Sequence, residues 1–289
     1  MGKISKALEK AEAERQKRLT ELSDGQAQIV DGFVNGGEAS IGVLELPSQP
    51  ESSADGLPFS LVGETEIDER VVALFDPRSP AAEQYRILRT NLLSLTPGKP
   101  VKMVLVSSSL HSEGKTVSSV NLAITMANDV TRRRVLLIDA DLRAGTVHQL
   151  LAMNPKVGLS DVLAKGIPWQ EALVPTAIPN LMVMPSGVDH PPHPAELLSS
   201  PRMREILAQV RSSFDFCIVD APPIVLLTDP SVLGGLTDGA LLVVRAGKTQ
   251  RTIVQQAAAL LAQANVRLLG CILTHMESYI PEYIYRYSH

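Results

Sequence analysis

Residues 101–116 read VKMVLVSSSLHSEGKT. An apolar run of strand length leads into a loop that ends in Gly114-Lys115-Thr116, and helical spacing begins at once in GKTVSSVNLAITMAN, residues 114–128. Strand, loop and helix in that order are the setting in which the pattern G-x-x-x-x-G-K-[ST] binds phosphate. Ser109 stands where the pattern has its first Gly, so the match is Ser109, Gly114, Lys115 and Thr116. Backbone N–H groups of such a loop and of the first helical turn point at an anion, and the helix dipole adds favourable potential. Ser112, Glu113, Gly114, Lys115, Thr116 and Val117 are therefore the expected nucleotide-binding residues. Lys115 brings a mobile positive charge to the terminal phosphates, and Thr116 brings a hydroxyl hard enough for Mg²⁺. If the loop needs a positive φ at Ser112, that residue is strained, because only glycine takes such angles freely.

Outward from this stretch, short apolar runs alternate with helical segments. The strand-like runs are VKMVLVS, RRVLLIDA, LMVMP, FDFCIVDA, GALLVVRA and VRLLGCILT. The helical segments include SPAAEQYRILRTNLLSL with its Ser cap and N1 proline, PAELLSSPRMREILAQVRSS and TIVQQAAALLAQAN. This alternation predicts an α/β fold: a mostly parallel sheet with helices on both faces, of the P-loop NTPase type.

Two of the apolar runs end in acid. VLLIDADLR supplies Asp139 and Asp141, followed by Arg143, and FCIVDAPP supplies Asp220. In an open parallel sheet, ligands sit beyond the carboxyl ends of the strands, so these acids and the phosphate loop should share one crevice. Asp220 has the position of the Mg²⁺-holding acid of P-loop enzymes. Thr116, Asp139 and Asp220 are the expected metal ligands, and Lys115, Asp139 and Asp141 the expected catalytic residues. A phenol titrates near pH 10, so a tyrosine acceptor would need a base, a role open to Asp139, or the field of the metal.

The 289 residues carry a net charge of −4, which argues against a general nucleic-acid binder. Residues 1–22 place apolar side chains at helical spacing between charges and predict an amphipathic helix, either solvated or docking to a partner or membrane surface. Residues 23–69 hold ten acids and no Lys or Arg, so 23–70 reads as an acidic flexible linker. The main domain is expected over 71–274, with a separate tail at 275–289. Cys217 and Cys271 both lie in apolar runs and read as buried core thiols rather than a disulfide or metal pair. With no run long enough to span a bilayer and no signal-peptide core, the expected compartment is the cytoplasm. The tail YIPEYIYRYSH holds four of the chain's five tyrosines: Tyr279, Tyr283, Tyr285 and Tyr287.

Together LLIDADLR, CIVDAPP and the phosphate loop resemble the motifs of the bacterial tyrosine kinases of capsule and exopolysaccharide synthesis. That family belongs to the deviant P-loop group, with the MinD and ParA ATPases. The resemblance runs from about Ser79 to the C-terminus. It implies ATP and Mg²⁺ as cofactors and transfer of the γ-phosphoryl group to Tyr279, Tyr283, Tyr285 and Tyr287. It also implies a transmembrane co-polymerase or chain-length regulator as activator at the inner face of the membrane, a cognate tyrosine phosphatase, and no nucleic-acid partner. Glu83, Arg86 and Arg89 match the family's E-x-x-R-x-x-R, which implies subunit contact in a ring-like homo-oligomer. The sequence departs from the family in His111-Ser112 where P-G is common, in His193 where Asn is usual, and in Ala221 at a hydroxyl position. The alternatives are a MinD- or ParA-like positioning ATPase, whose signature lysine is replaced here by Leu110, and a non-catalytic nucleotide-binding scaffold.

Overall fold

The computed structural model describes residues 67–95, 100–189 and 191–276. The expected N-terminal helix, nearly all of the acidic linker and the four tail tyrosines lie outside the described residues. The six expected strands are β1 (Met103–Ser108), β2 (Val135–Asp139), β4 (Leu181–Met184), β5 (Phe216–Asp220), β6 (Gly239–Arg245) and β7 (Leu268–Thr274). A two-residue β3 (Val174–Pro175) was not expected; it pairs antiparallel to β4 at one edge. The sheet order is β3-β4-β2-β5-β1-β6-β7, and every other pairing is parallel.

Alternation along the strands sorts side chains onto two faces. Val104 and Val106 of β1, Val135 and Leu137 of β2, and Phe216 and Ile218 of β5 share one core. Met103, Leu105, Leu136, Ile138, Cys217 and Val219 join the other. Central strands buried on both faces explain why the runs are continuously apolar rather than alternating. Cys217 is buried as expected, but Cys271 is exposed. It sits on β7, the edge strand, which has a neighbour on one side only and whose residues are at best partly buried.

The first core is covered by α1 (Val72–Phe75), α2 (Pro80–Ser94), α3 (Lys115–Ala127) and α4 (Val147–Leu150). Ser79 caps α2 as its sequence predicts, its Oγ accepting from the Ala82 N–H at 3.1 Å, with Pro80 at the first helical position. The second core is covered by α5 (Leu159–Lys165), a 3₁₀ turn at Trp169–Ala172, α6 (Pro194–Ser199), α7 (Pro201–Ser213), α8 (Asp229–Gly234) and α9 (Arg251–Gln263). The segment PAELLSSPRMREILAQVRSS is two helices, not one. Pro201 holds Ser200 extended at ψ 154°, and Ser200 then caps α7. No helix among the described residues is long and apolar enough to cross a membrane.

Candidate functional site

Strand parity decides where the acids point. Asp139 follows Val135 and Leu137, and Asp220 follows Phe216 and Ile218, so both carboxylates face α3. The two are register partners on adjacent parallel strands and both are fully buried. α3 starts beside them. Its first intrahelical bond runs from the Ser118 N–H to the Gly114 carbonyl at 2.9 Å, which leaves the N–H groups of Lys115, Thr116 and Val117 at the open helix end. Gly114 takes φ 91° to turn the loop into the helix, and Ser112 takes φ 60°.

Side chains of α3 then grip the strand ends. Thr116 Oγ1 donates to Asp220 Oδ2 and Ser119 Oγ to Asp220 Oδ1, each at 2.8 Å. Lys115 Nζ donates to Asp141 Oδ2 at 2.9 Å and lies 3.7 Å from Asp220 Oδ2. Asp139 accepts the N–H groups of Asp141 at 3.2 Å and Val147 at 3.1 Å, which fixes its orientation. Burial above all, then the charge of Asp220, pushes the Asp139 carboxyl up to about 8. Asp220 is also raised, chiefly by burial, against the opposing pull of Lys115. Burial works to lower the Lys115 pKa, but Asp220 and Asp141 outweigh it and leave the ammonium more firmly charged than usual.

The catalytic residues expected from the sequence, Lys115, Asp139 and Asp141, thus converge with Thr116 and Asp220. Glu113, expected at the phosphate loop, and three further residues bind the site together. Ser119 lies one helical step beyond Thr116, a spacing of three that marks it as a neighbour on the same face. Asp229, fully buried, holds Arg143 through Nε at 3.0 Å and so ties the loop after β2 to the start of α8. Glu113, buried, accepts the Leu110 N–H at 2.8 Å and the Thr249 hydroxyl, bracing the phosphate loop against the segment after β6. Thr274 donates to the Glu113 carbonyl at 2.7 Å, and its methyl group would stand 3.3 Å from a Cβ at position 114. Glu113 was expected at the phosphate loop and Ser119 was within reach of spacing rules, but the contacts of Asp229, Thr249 and Thr274 are too distant in sequence to leave a local signal. Of the three residues expected at a subunit contact, Glu83 and Arg86 pair with each other. Arg89 turns inward to the Thr125 carbonyl at the end of α3, at 3.1 Å.

The donor set suits Mg²⁺ with nucleotide phosphates. Thr116, Asp139 and Asp220 offer hard oxygens, yet among the described residues no group of three or more His, Cys, Asp or Glu forms a cage. Mg²⁺ is commonly held by one or two carboxylates with the remaining ligands from phosphate and water.

The AAA domain family model matches residues 102–244. The tyrosine-protein kinase YwqD of Bacillus subtilis is 38% identical over 207 residues, covering 72% of this chain and 86% of the relative. The chain belongs to the bacterial tyrosine-protein kinase family. Another member, CpsD of Streptococcus agalactiae, is 31% identical over 70% of this chain and 85% of its own length. Among solved structures, the kinase domain of the Escherichia coli tyrosine kinase ETK superposes with a TM-score of 0.67 at 30% identity, covering 73% of this chain and 83% of that one. The chimerical protein CapA2B2 gives a TM-score of 0.69 at 26% identity, covering 74% and 93%. The kinase family shares its fold with the cell division ATPase MinD of Pyrococcus furiosus, at TM-score 0.53 and 26% identity over 62% and 76% of the two chains.

Proposed function

We propose that this kinase-family member transfers the γ-phosphoryl group of ATP to tyrosines of its own C-terminal tail. One observation carries the reading: the strand from which the tail departs is hydrogen-bonded, through Thr274, to the loop that would cradle the phosphates. Four tyrosines follow within thirteen residues of Met276.

In this reading the open N–H groups of α3 and its dipole hold the phosphates, and Lys115 moves from Asp141 to the terminal phosphate. Thr116, Asp220 and Asp139 would hold Mg²⁺, which when bound neutralises phosphate charge. Asp139, oriented by two backbone N–H groups, would also be placed to take the tyrosine proton once bound Mg²⁺ had displaced its own. Positioning and electrostatics do most of the work in such a transfer. By resemblance to the family, the activity would regulate polymerisation and export of a capsule or exopolysaccharide. A transmembrane co-polymerase would activate the chain at the membrane and a tyrosine phosphatase would reset it. Glu83 and Arg86, both on the open side of α2, remain accessible for contact in a ring.

The test is direct. The purified chain with labelled ATP and Mg²⁺ should acquire phosphotyrosine at Tyr279, Tyr283, Tyr285 or Tyr287, Lys115→Met should abolish the label, and Phe at all four positions should remove the acceptor. ATP hydrolysis without phosphotyrosine would overturn the reading in favour of a positioning ATPase.

A further inference from the structure

On the flank of the phosphate loop away from Asp139 lies a second cleft of about 280 Å³. Leu110 and His111 of the loop form one side; Arg245, Lys248, Gln250 and Ile253, from the end of β6 into α9, form the other. Glu113 and Thr249 join the two sides at its base through their mutual hydrogen bond. Small-molecule sites usually start near 300 Å³, so this space is large enough for one ring-sized group.

Its charge is unbalanced. Glu113 is the one carboxylate in the lining, and both of its oxygens are engaged, by the Leu110 N–H and the Thr249 hydroxyl. Arg245 and Lys248 have no hydrogen bond or ion pair from their side chains among the described residues. Two free cations beside two apolar side chains, Leu110 and Ile253, match a group that is aromatic at one end and doubly anionic at the other. Arginine in particular recognises phosphate through paired N–H donors.

We propose that this cleft binds phosphotyrosine of the C-terminal tail, so that the chain reads its own product next to the site that makes it. The proposal rests on the autokinase reading for the origin of the phosphate. The occupant follows from charge and placement. Phosphorylation adds nearly two negative charges to a ring the tail already carries in four copies. The tail begins after Thr274, which is bonded to the same loop that walls the cleft. At roughly 3.5 Å per residue, thirteen residues can extend about 45 Å, enough for the cleft of this chain or of an adjacent copy.

Synthetic peptides of residues 277–289, unphosphorylated or carrying one phosphate at Tyr279, Tyr283, Tyr285 or Tyr287, would be titrated into the full chain with its four tail tyrosines changed to Phe. At least one phosphopeptide should bind about tenfold or more tighter than the unmodified peptide, and the preference should weaken with salt. Arg245→Ala with Lys248→Ala should remove that preference while leaving the melting temperature within a few degrees, since Lys248 is exposed, Arg245 is only partly buried, and neither side chain has a partner among the described residues. Saturating Mg–ADP should leave phosphopeptide binding intact. Equal affinity for both peptide forms, a preference that survives the double substitution, or competitive displacement by ADP would each overturn the proposal; the last would assign the cleft to the nucleotide. Because the peptides are synthetic, their binding is independent of catalysis. Absence of phosphotyrosine on the wild-type chain would defeat the autokinase reading without touching the measured binding.

Discussion

Ser112 holds φ 60° at the crown of the phosphate loop, a conformation that costs an L-residue roughly 1–2 kcal/mol. Ser112→Gly should relieve it, offset partly by the greater freedom of glycine in the unfolded chain. The expected net gain is about 0.5–1 kcal/mol, read as a higher denaturation midpoint. Ser112→Val should lower the midpoint, because β-branching suits this region least. Lys115 has a structural duty besides its proposed catalytic one. Lys115→Met leaves Asp141 and Asp220 buried without their cation, a loss on the order of 3 kcal/mol at neutral pH that denaturant titration would register. Asp139 sets a pH dependence of stability. Its folded-state pKa of about 8 lies above its unfolded value near 3.9, so the folded state keeps a proton that the unfolded state releases. The associated stabilisation is fully present below about pH 4 and is lost as pH rises through about 8. With nucleotide absent and chelator present, the melting temperature should fall over that range, and Asp139→Asn should flatten the fall.

The elements around the site are fastened by contacts between loops, and Arg143–Asp229 is the clearest of them. Asp229→Asn would free the loop that carries Asp141 from the start of α8. Tyrosine phosphorylation should then slow by about tenfold or more, because small misplacements of catalytic groups are costly. Arg89 serves a different junction, from α2 to the last turn of α3. Arg89→Ala should cost about 1 kcal/mol of stability that does not vary with protein concentration, whereas a contact between subunits would make it vary. These two residues also mark how far the sequence could be read. Strand parity, the Ser79 cap and the acids closing two apolar runs are local patterns, so the sheet, α2 and the meeting of Asp139 with Asp220 were legible in it. The partner of Arg143 lies 86 residues away, and the inward turn of Arg89 depends on where α3 ends. Period and propensity carry no information about such meetings. Cys271 is exposed for a related reason: its run is as apolar as the buried strands, but strand order puts β7 at the edge.

For the whole molecule, the proposed transfer has two geometries: a tail would serve its own site or that of another copy. A mixture of Lys115→Met chains with chains whose four tail tyrosines are Phe separates the two. Phosphotyrosine on the Lys115→Met chain, appearing at a rate that rises with the concentration of its partner, identifies transfer between copies; silence in the mixture, with an active wild type, identifies transfer within one chain. The hydroxyl of Thr274 gives the distinction a further consequence. It anchors the root of the tail to the loop, so in the proposed transfer within one chain the local concentration of the acceptor would be set by tether length. A short tether of this kind holds its substrate at effective concentrations in the millimolar range. Diluting the protein would then leave an internal reaction unchanged, while added exogenous peptide would compete poorly. Inserting residues after Met276 would dilute the acceptor without dilution of the sample, turning a length of chain into an adjustable substrate concentration.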